Sequence, residues 1–272
     1  MKRLLRQSVN LIPSRARYWI KSMPGIALLQ RWLVNSVLSG EPFVHVINSG
    51  PARGLRFEVM LPNDKMIWSG TFEPEFAEAL ARGVTAGDVC YDIGGYRGYM
   101  SGILALAGAS RVIVFEPLAE NVRALKKLRE LNPELPLQIQ QCAVGKDDGE
   151  IGFKVMPDRS MGKIASSGFQ RGKEAVEEIR VPITKLDTLL SEGGLPVPNL
   201  VKIDVEGAEI DVLDGATKTL KELTPKVFLE AHSRALANEC TSRLRVYGYV
   251  VQQLESGEVA AESARHLVAR RK

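Results

Sequence analysis

An α/β fold, with a mostly parallel sheet covered by helices on both faces, is what this sequence predicts. Two observations predict it. From Asp88 onward, short β-branched runs alternate with segments of helical periodicity, the pattern of parallel strands joined by crossover helices. Two of those runs also end alike. Val89-Cys90-Tyr91-Asp92-Ile93-Gly94-Gly95-Tyr96-Arg97-Gly98 and Leu200-Val201-Lys202-Ile203-Asp204-Val205-Glu206-Gly207-Ala208-Glu209 each read as a buried strand that stops at a carboxylate and turns through glycine into a helix. Ligands of open α/β sheets bind outside the carboxyl ends of the strands, so two such ends mark out a site.

In chain order, Phe43–Ile47 and Leu55–Val59 predict a hairpin turned at Asn48-Ser49-Gly50-Pro51. Pro74 opens a helix through about residue 82. The strand at 88–92 leads to a helix near 98–108, and Arg111–Phe115 to a helix over 118–131 with Leu118, Val122, Leu125 and Leu128 at helical spacing. Leu137–Val144 is the third strand. After a turn at 145–149 come a strand at 151–155, a Gly-, Ser- and Lys-rich loop over 157–176, a strand at 179–183 and a short helix at 185–191. Leu200–Asp204, a helix over 207–221, Lys226–Glu230, a helix over 233–246 and strands at 249–253 and 266–269 complete the pattern. The domains expected are a basic helical segment, 1–40, a hairpin-and-helix pre-domain, 41–83, and the main α/β domain, 84–272.

The 272 residues are ample for a core, and 45% hydrophobic with 25% charged residues is ordinary for a soluble protein. Cys90, Cys142 and Cys240 lack paired spacing and read as thiols of a reducing compartment. The net charge of +4 sits at the N-terminus: residues 1–40 hold seven basic and no acidic side chains, leaving 29 basic against 32 acidic beyond them. That distribution argues against nucleic acid as a partner. Lys21, Pro24 and Arg31 interrupt the one moderately apolar run, so neither a membrane span nor a signal peptide is expected, and the expected location is cytoplasmic. The basic segment, with Trp19 and Trp32, either packs as helices or touches the inner face of an anionic membrane.

Gly94, Gly95 and Gly98 allow close backbone approach to a ligand at a helix N-terminus, and Glu116, ending the next strand, can accept both hydroxyls of a ribose. A nucleoside cofactor follows. The turn lacks G-x-G-x-x-G spacing, and a pyrophosphate would sit badly beside Asp92. A sulfonium with an α-amino group would sit well there, which favours S-adenosylmethionine over NAD.

Tyr91-Asp92-Ile93-Gly94, Phe115-Glu116-Pro117, Leu186-Asp187, the run Lys202–Glu209 and Phe228-Leu229-Glu230-Ala231-His232 together resemble the FkbM-type S-adenosylmethionine-dependent methyltransferases. Asn48–Pro51 and Gly70-Thr71-Phe72-Glu73-Pro74 resemble that family's pre-domain. The resemblance covers about residues 43–253. It implies a Rossmann-like class I methyltransferase with a seven-stranded sheet whose last strand is antiparallel. It also implies O-methylation of a hydroxyl on a sugar, glycan or secondary metabolite. One departure stands out: after the first strand this chain has Gly94-Gly95-Tyr96-Arg97, and Arg97 is unfavourable beside a cationic ligand unless it pairs or points away.

For the cofactor the expected residues are Glu73, Asp92, Gly94, Gly95, Tyr96, Gly98, Glu116, Pro117, Cys142, Ala143 and Asp204. Helix-start chemistry also explains Glu73, and core packing also explains Cys142 and Ala143. For catalysis they are His232, Asp204 and Glu206. His232 is the candidate base, having an ordinary pKa near neutrality; the bland alternative is a helix cap. Glu209 reads as a helix-dipole partner, and Lys202 as a buried lysine paired with Glu230. Ser166 and Ser167 read as acceptor-pocket or solvated residues. The three carboxylates could gather a divalent cation, though no spacing requires one. A non-catalytic cofactor-binding or membrane-docking module and a nucleotide-dependent oxidoreductase are the other readings.

Overall fold

The computed structural model describes residues 41–155, 162–164, 177–255 and 265–271. The basic segment 1–40, Ser166 and Ser167 lie outside them. β1 (Phe43–Val46) pairs antiparallel with β2 (Arg56–Val59). α1 (Lys65–Ser69) follows, and at five residues it is too short to show a helical period in the sequence. α2 (Pro74–Gly83) has its proline in the first turn, where a missing N–H costs nothing.

The alternating part runs β3 (Val89–Ile93), α3 (Tyr99–Leu106), β4 (Arg111–Phe115), α4 (Ala119–Leu131) and β5 (Leu137–Gln140). A second sheet intervenes: β6 (Ala143–Val144), β7 (Gly149–Val155), β8 (Gly162–Ile164) and β9 (Glu177–Thr184), in the order β6-β9-β7-β8. Then come α5 (Leu186–Ser191), β10 (Leu200–Ile203), α6 (Glu209–Gly215), a π-helical turn (Thr219–Leu223), β11 (Lys226–Ala231), α7 (Arg234–Val246), β12 (Tyr249–Gln253) and β13 (Arg265–Arg271). The main sheet has seven strands in the order β12-β13-β11-β10-β3-β4-β5. Its pairs are parallel except those of β13, which runs antiparallel to β11 and β12. This is the Rossmann-like sheet of class I methyltransferases.

Three details differ from the sequence expectation. The third strand is broken: β5 ends at Gln140, and Ala143 and Val144 leave the main sheet to pair with β9. Part of the expected 157–176 loop is β8, paired with β7; its Gly-Lys-Ile composition carries little strand signal, and pairing supplies what propensity does not. The helix expected over 207–221 is divided. Asp187 on α5 accepts the backbone N–H groups of Lys218 and Thr219, both at 2.8 Å, and the Thr219 hydroxyl at 2.6 Å. That carboxylate starts a fresh helical turn as a cap does.

Alternation along the strands sorts the core into two faces. Tyr91, Ile113, Val201, Leu229 and their neighbours pack with α6 and α7. Cys90, Val112, Leu200 and Phe228 pack on the opposite face, with α2, α3 and the hairpin residues Ile47, Leu55 and Phe57. The hairpin and α2 therefore cover this second face. Continuing its period of two toward the carboxyl ends reaches Asp92, Lys202, Glu230 and, on antiparallel β13, His266. The apolar face turns polar where the strands end, and the site lies there.

Candidate active site

The turn after β3 is shaped by contact. Gly94 has φ +80°, and a Cβ there would lie 1.7 Å from the Asp204 carbonyl oxygen, so the ends of β3 and β10 meet only over glycine. A Cβ on Gly95 would lie 2.1 Å from Val114 Cγ1. Tyr96, at φ +50°, points its N–H at Glu116 Oε2, 2.9 Å away, while Glu116 Oε1 accepts the Leu118 N–H at 2.9 Å. Both carboxylate oxygens are thus oriented from the protein side. Burial pushes Glu116 up to about 7, against the lowering pull of Leu118, Asn121 and Tyr96.

A cavity of about 370 Å³ opens at these strand ends, within the size range of small-molecule sites. Gly94, Gly95, Tyr96, Glu116 and Pro117 line one half, with Cys142 and Ala143 beside them. Glu73, Lys202, Asp204, Glu206, Glu230 and His232 line the other. The structure brings these expected residues to one cavity and leaves two outside its lining.

Asp92 is wholly buried, 2.5 Å from the Ser101 hydroxyl and 3.0 Å from Lys202 Nζ. Its charge is answered inside the protein, so it does not present a bare carboxylate to a cationic ligand. Lys202 was expected to pair with Glu230. Strand register decides otherwise: Lys202 stands opposite Asp92 on β3 and opposite Phe228 on β11. Its ammonium also donates to the Gly94 carbonyl at 3.0 Å and lies 3.5 Å from Asp204 Oδ2. Gly98 is the second exception. At φ +89° it caps α3, and a Cβ there would press on Leu125 and Leu128, so its role is to seat α3 against α4.

Arg97 points away from the cavity. Its Nη1 lies 2.9 Å from both Asp64 oxygens, Nη2 donates to the Glu58 carbonyl at 2.6 Å, and the guanidinium covers the Phe57 ring. It ties the turn after β3 to β2 and to Asp64 beyond it.

His232 is 2% exposed. Its Nδ1 is 2.9 Å from Glu209 Oε1, and its Nε2 faces Glu206 Oε2 at 3.4 Å, Asp204 Oδ1 at 3.6 Å and Glu230 Oε1 at 3.7 Å. Burial pulls the imidazole down, but the Glu209 bond and the Asp204, Glu206 and Glu209 charges outweigh it and raise it to about 9. His232 is therefore not the near-neutral free base its ordinary pKa suggests. Glu209, expected to serve the helix dipole, is the buried partner that fixes the ring. Glu73, at φ +41°, is raised to about 7 by burial and by the Glu230 and Asp204 charges. Burial, Glu230 and Glu206 raise Asp204 to about 7, against Lys202 and His232. Glu230 and His266 complete the group; Glu230 was expected only as the partner of Lys202, and the signal that places both here is the shared face of β11 and β13.

A glycine turn, a strand-end glutamate and a group of carboxylates meet in one cavity at the carboxyl ends of a Rossmann-like sheet with the class I methyltransferase strand order. Residues 92–251 match the methyltransferase FkbM domain, and the chain belongs to the FkbM methyltransferase family. Hexuronic acid methyltransferase AglP of Haloferax volcanii is 26% identical over 159 residues, 58% of this chain and 61% of that protein. Methyltransferase 1 of Beauveria bassiana is 28% identical over 136 residues, 44% of this chain and 55% of that one. The chain thus spans somewhat over half the length of these curated relatives. Among solved structures, methyltransferase FkbM from Methylobacillus flagellatus aligns at a TM-score of 0.46 and 16% identity, over 66% of this chain and 43% of that one. Among the described residues, no helix is long and apolar enough to cross a membrane.

Proposed function

We propose that this protein is an S-adenosylmethionine-dependent methyltransferase that methylates a hydroxyl of a sugar or glycan. The observation that carries this reading is that one cavity is lined both by the Gly94-Gly95 turn with Glu116 and by the carboxylates Asp204 and Glu206 with His232. The protein residues fit the cofactor: the turn admits no Cβ at Gly94, and Glu116 is held with its carboxylate on the cavity wall. The small Ala143 and the Cys142 beside it leave room for a flat base. When bound, S-adenosylmethionine supplies an activated methyl group on a sulfonium.

The protein's work is placement and proton removal. Glu116 accepts the ribose hydroxyls. The ends of β3 and β10, held together by Lys202, keep the two halves of the cavity in fixed relation. The acceptor hydroxyl lies against Asp204, Glu206 and His232, whose carboxylates receive its proton while Glu209 fixes the ring. The apolar side chains of Phe72, Tyr99 and Met100, which also line the cavity, are those available to keep water from the reacting centre. That a relative is named for a hexuronic acid supports a sugar acceptor.

The test combines calorimetry with S-adenosylhomocysteine and an acceptor screen of uronic-acid and neutral glycans read by mass spectrometry. Saturable binding and a gain of one methyl on a glycan hydroxyl are expected, and His232→Ala should lower turnover far more than cofactor affinity. A folded protein that fails to bind millimolar S-adenosylhomocysteine overturns the reading.

A further inference from the structure

Charge in the acidic half of the cavity does not balance. Glu73, Asp92, Asp204, Glu206, Glu209, Glu230 and Glu255 gather around three basic side chains, Lys202, His232 and His266, and Lys202 is already engaged by Asp92. Carboxylates outnumber the basic side chains of this group, and gathering buried carboxylates is costly unless a cation answers them.

The two histidines are arranged alike. Each has Nδ1 on its own glutamate: His232 on Glu209 at 2.9 Å, His266 on Glu255 at 2.5 Å. The His266 ring is further clamped by stacking on Phe76 at 4.4 Å. Each therefore presents Nε2 inward, in the tautomer and orientation that a carboxylate imposes on a metal-ligating histidine. Glu230 stands between them, with Oε1 at 3.7 Å from His232 Nε2 and Oε2 at 3.8 Å from His266 Nε2. His266 Nε2 is buried, 3.8 Å from both Glu230 Oε2 and Glu73 Oε2.

The spacing of the ligand atoms suits a shared ion. His232 Nε2 lies 3.6 Å from Asp204 Oδ1 and 3.7 Å from Glu230 Oε1. Two ligand atoms bound at about 2.1 Å to one ion at a near-tetrahedral angle lie about 3.4 Å apart. The ligand atoms of Asp204, Glu230 and His232 all fall within 4.8 Å of one another, as do those of Glu73, Glu230 and His266.

We propose that Asp204, Glu230 and His232 Nε2 bind a divalent first-row transition ion facing the cavity. One imidazole with two carboxylates suits Mn²⁺, Fe²⁺ or Zn²⁺ better than the all-oxygen preference of Mg²⁺ or Ca²⁺. This triad takes the ion because it lines the cavity, whereas His266 does not. Its catalytic role rests on the methyl-transfer reading above. An acceptor hydroxyl that coordinates the ion is acidified by it and gives up its proton to a neighbouring carboxylate, and the alkoxide oxygen then forms the new O–CH₃ bond as the C–S bond of the sulfonium breaks.

The experiment uses the full, tag-free chain, stripped with EDTA and dialysed, with no cofactor or acceptor. Mn²⁺ is titrated in and the signal of free Mn²⁺ followed by electron paramagnetic resonance. One ion per chain, displaced by Zn²⁺, is expected. Glu230→Gln and Asp204→Asn should each weaken binding at least tenfold. Glu209→Gln, which removes the charge at the ring's far nitrogen while leaving an acceptor for the Gly207 N–H, should weaken it about tenfold, with S-adenosylhomocysteine affinity held within threefold. Circular dichroism of each variant confirms folding. His266→Ala should change Mn²⁺ affinity less than threefold. Failure of the folded wild type to bind millimolar Mn²⁺ or Zn²⁺ overturns the proposal, as does binding lost in His266→Ala but kept in Asp204→Asn. Because S-adenosylhomocysteine binding is measured separately, loss of the metal site and loss of the methyltransferase reading give different results.

Discussion

Glu116→Gln tests the nucleoside half of the cavity, and its effect follows from the two bonds that hold the carboxylate. Tyr96 and Leu118 each donate a backbone N–H to one of its oxygens at 2.9 Å. An amide keeps one acceptor and turns an N–H₂ toward the other donor. A ribose hydroxyl that loses its charge-assisted hydrogen bond to the ionised carboxylate loses about 1.5–3 kcal/mol, which is about ten- to a hundredfold in affinity. The wild-type side chain also titrates in the working range, near 7. Ribose hydroxyls donate to the ionised form, which rises from about a tenth of the population at pH 6 to about nine-tenths at pH 8. Affinity for S-adenosylhomocysteine therefore climbs with pH, and Glu116 contributes about tenfold of that climb. Calorimetry at pH 6, 7 and 8 on wild type and Glu116→Gln measures both effects. Other acids of the cavity titrate in both proteins, so the difference between the slopes isolates Glu116. Parallel slopes, or a variant that binds as tightly as wild type at pH 8, would refute the assignment.

Three further outcomes are expected. Lys202→Met leaves Asp92 buried without its counter-charge and should cost about 3–5 kcal/mol, read as a large fall in the denaturant midpoint; a midpoint within 0.2 M urea (, roughly) of wild type would mean Asp92 is neutralised some other way. Gly94→Ala forces a methyl to 1.7 Å from the Asp204 carbonyl at φ +80°, so the strand ends must part; cofactor affinity should fall by more than tenfold (about 1.4 kcal/mol), and unchanged calorimetry would show that the turn tolerates the shift. Asp187→Ala removes the cap on the Lys218 and Thr219 amides and should cost about 1–2 kcal/mol of stability with no change in S-adenosylhomocysteine affinity; an affinity change would place Asp187 in the site.

What the sequence made legible depends on how each feature is encoded. The inner strands of the main sheet could be read because burial on both faces demands continuous apolar runs, and Arg111–Phe115 ends where its composition ends. The glycine turn and Glu116 could be read because both act through local backbone chemistry. Lys202 could be recognised as a buried lysine in need of a carboxylate, but its partner could not: Asp92 and Glu230 both end neighbouring strands, and the register that selects Asp92 is a property of pairing. His266 was hidden for the same reason, since only the antiparallel return of β13 sets it opposite Glu230. β8 was hidden because three residues of weak propensity become a strand only beside β7.

The departure at Tyr96-Arg97 shows how the two halves of the fold depend on each other. A cation one residue from the Tyr96–Glu116 contact should repel a sulfonium ligand. The structure removes that conflict by geometry. Tyr96 at φ +50° turns the chain so that its N–H meets Glu116 while the next side chain leaves the cavity. Arg97 then finds Asp64, the Glu58 carbonyl and the Phe57 ring, all on or just after β2. Asp64 is itself held by the Met60 N–H at 2.7 Å. The arginine is thus a bolt between the cofactor turn and the hairpin, and its side chain is only 18% exposed, with Asp64 at 11%. Arg97→Ala should therefore act on both: about 3 kcal/mol of stability from stranding Asp64, seen as a fall of roughly 6–12 °C in Tm for a domain of this size, and a looser turn with weaker cofactor binding. Asp64→Asn with Arg97→Gln removes the charges together and should recover part of the stability. If the double variant is no more stable than Arg97→Ala, the ion pair is not what joins the hairpin to the turn, and packing of Phe57 against Tyr99 must do so instead.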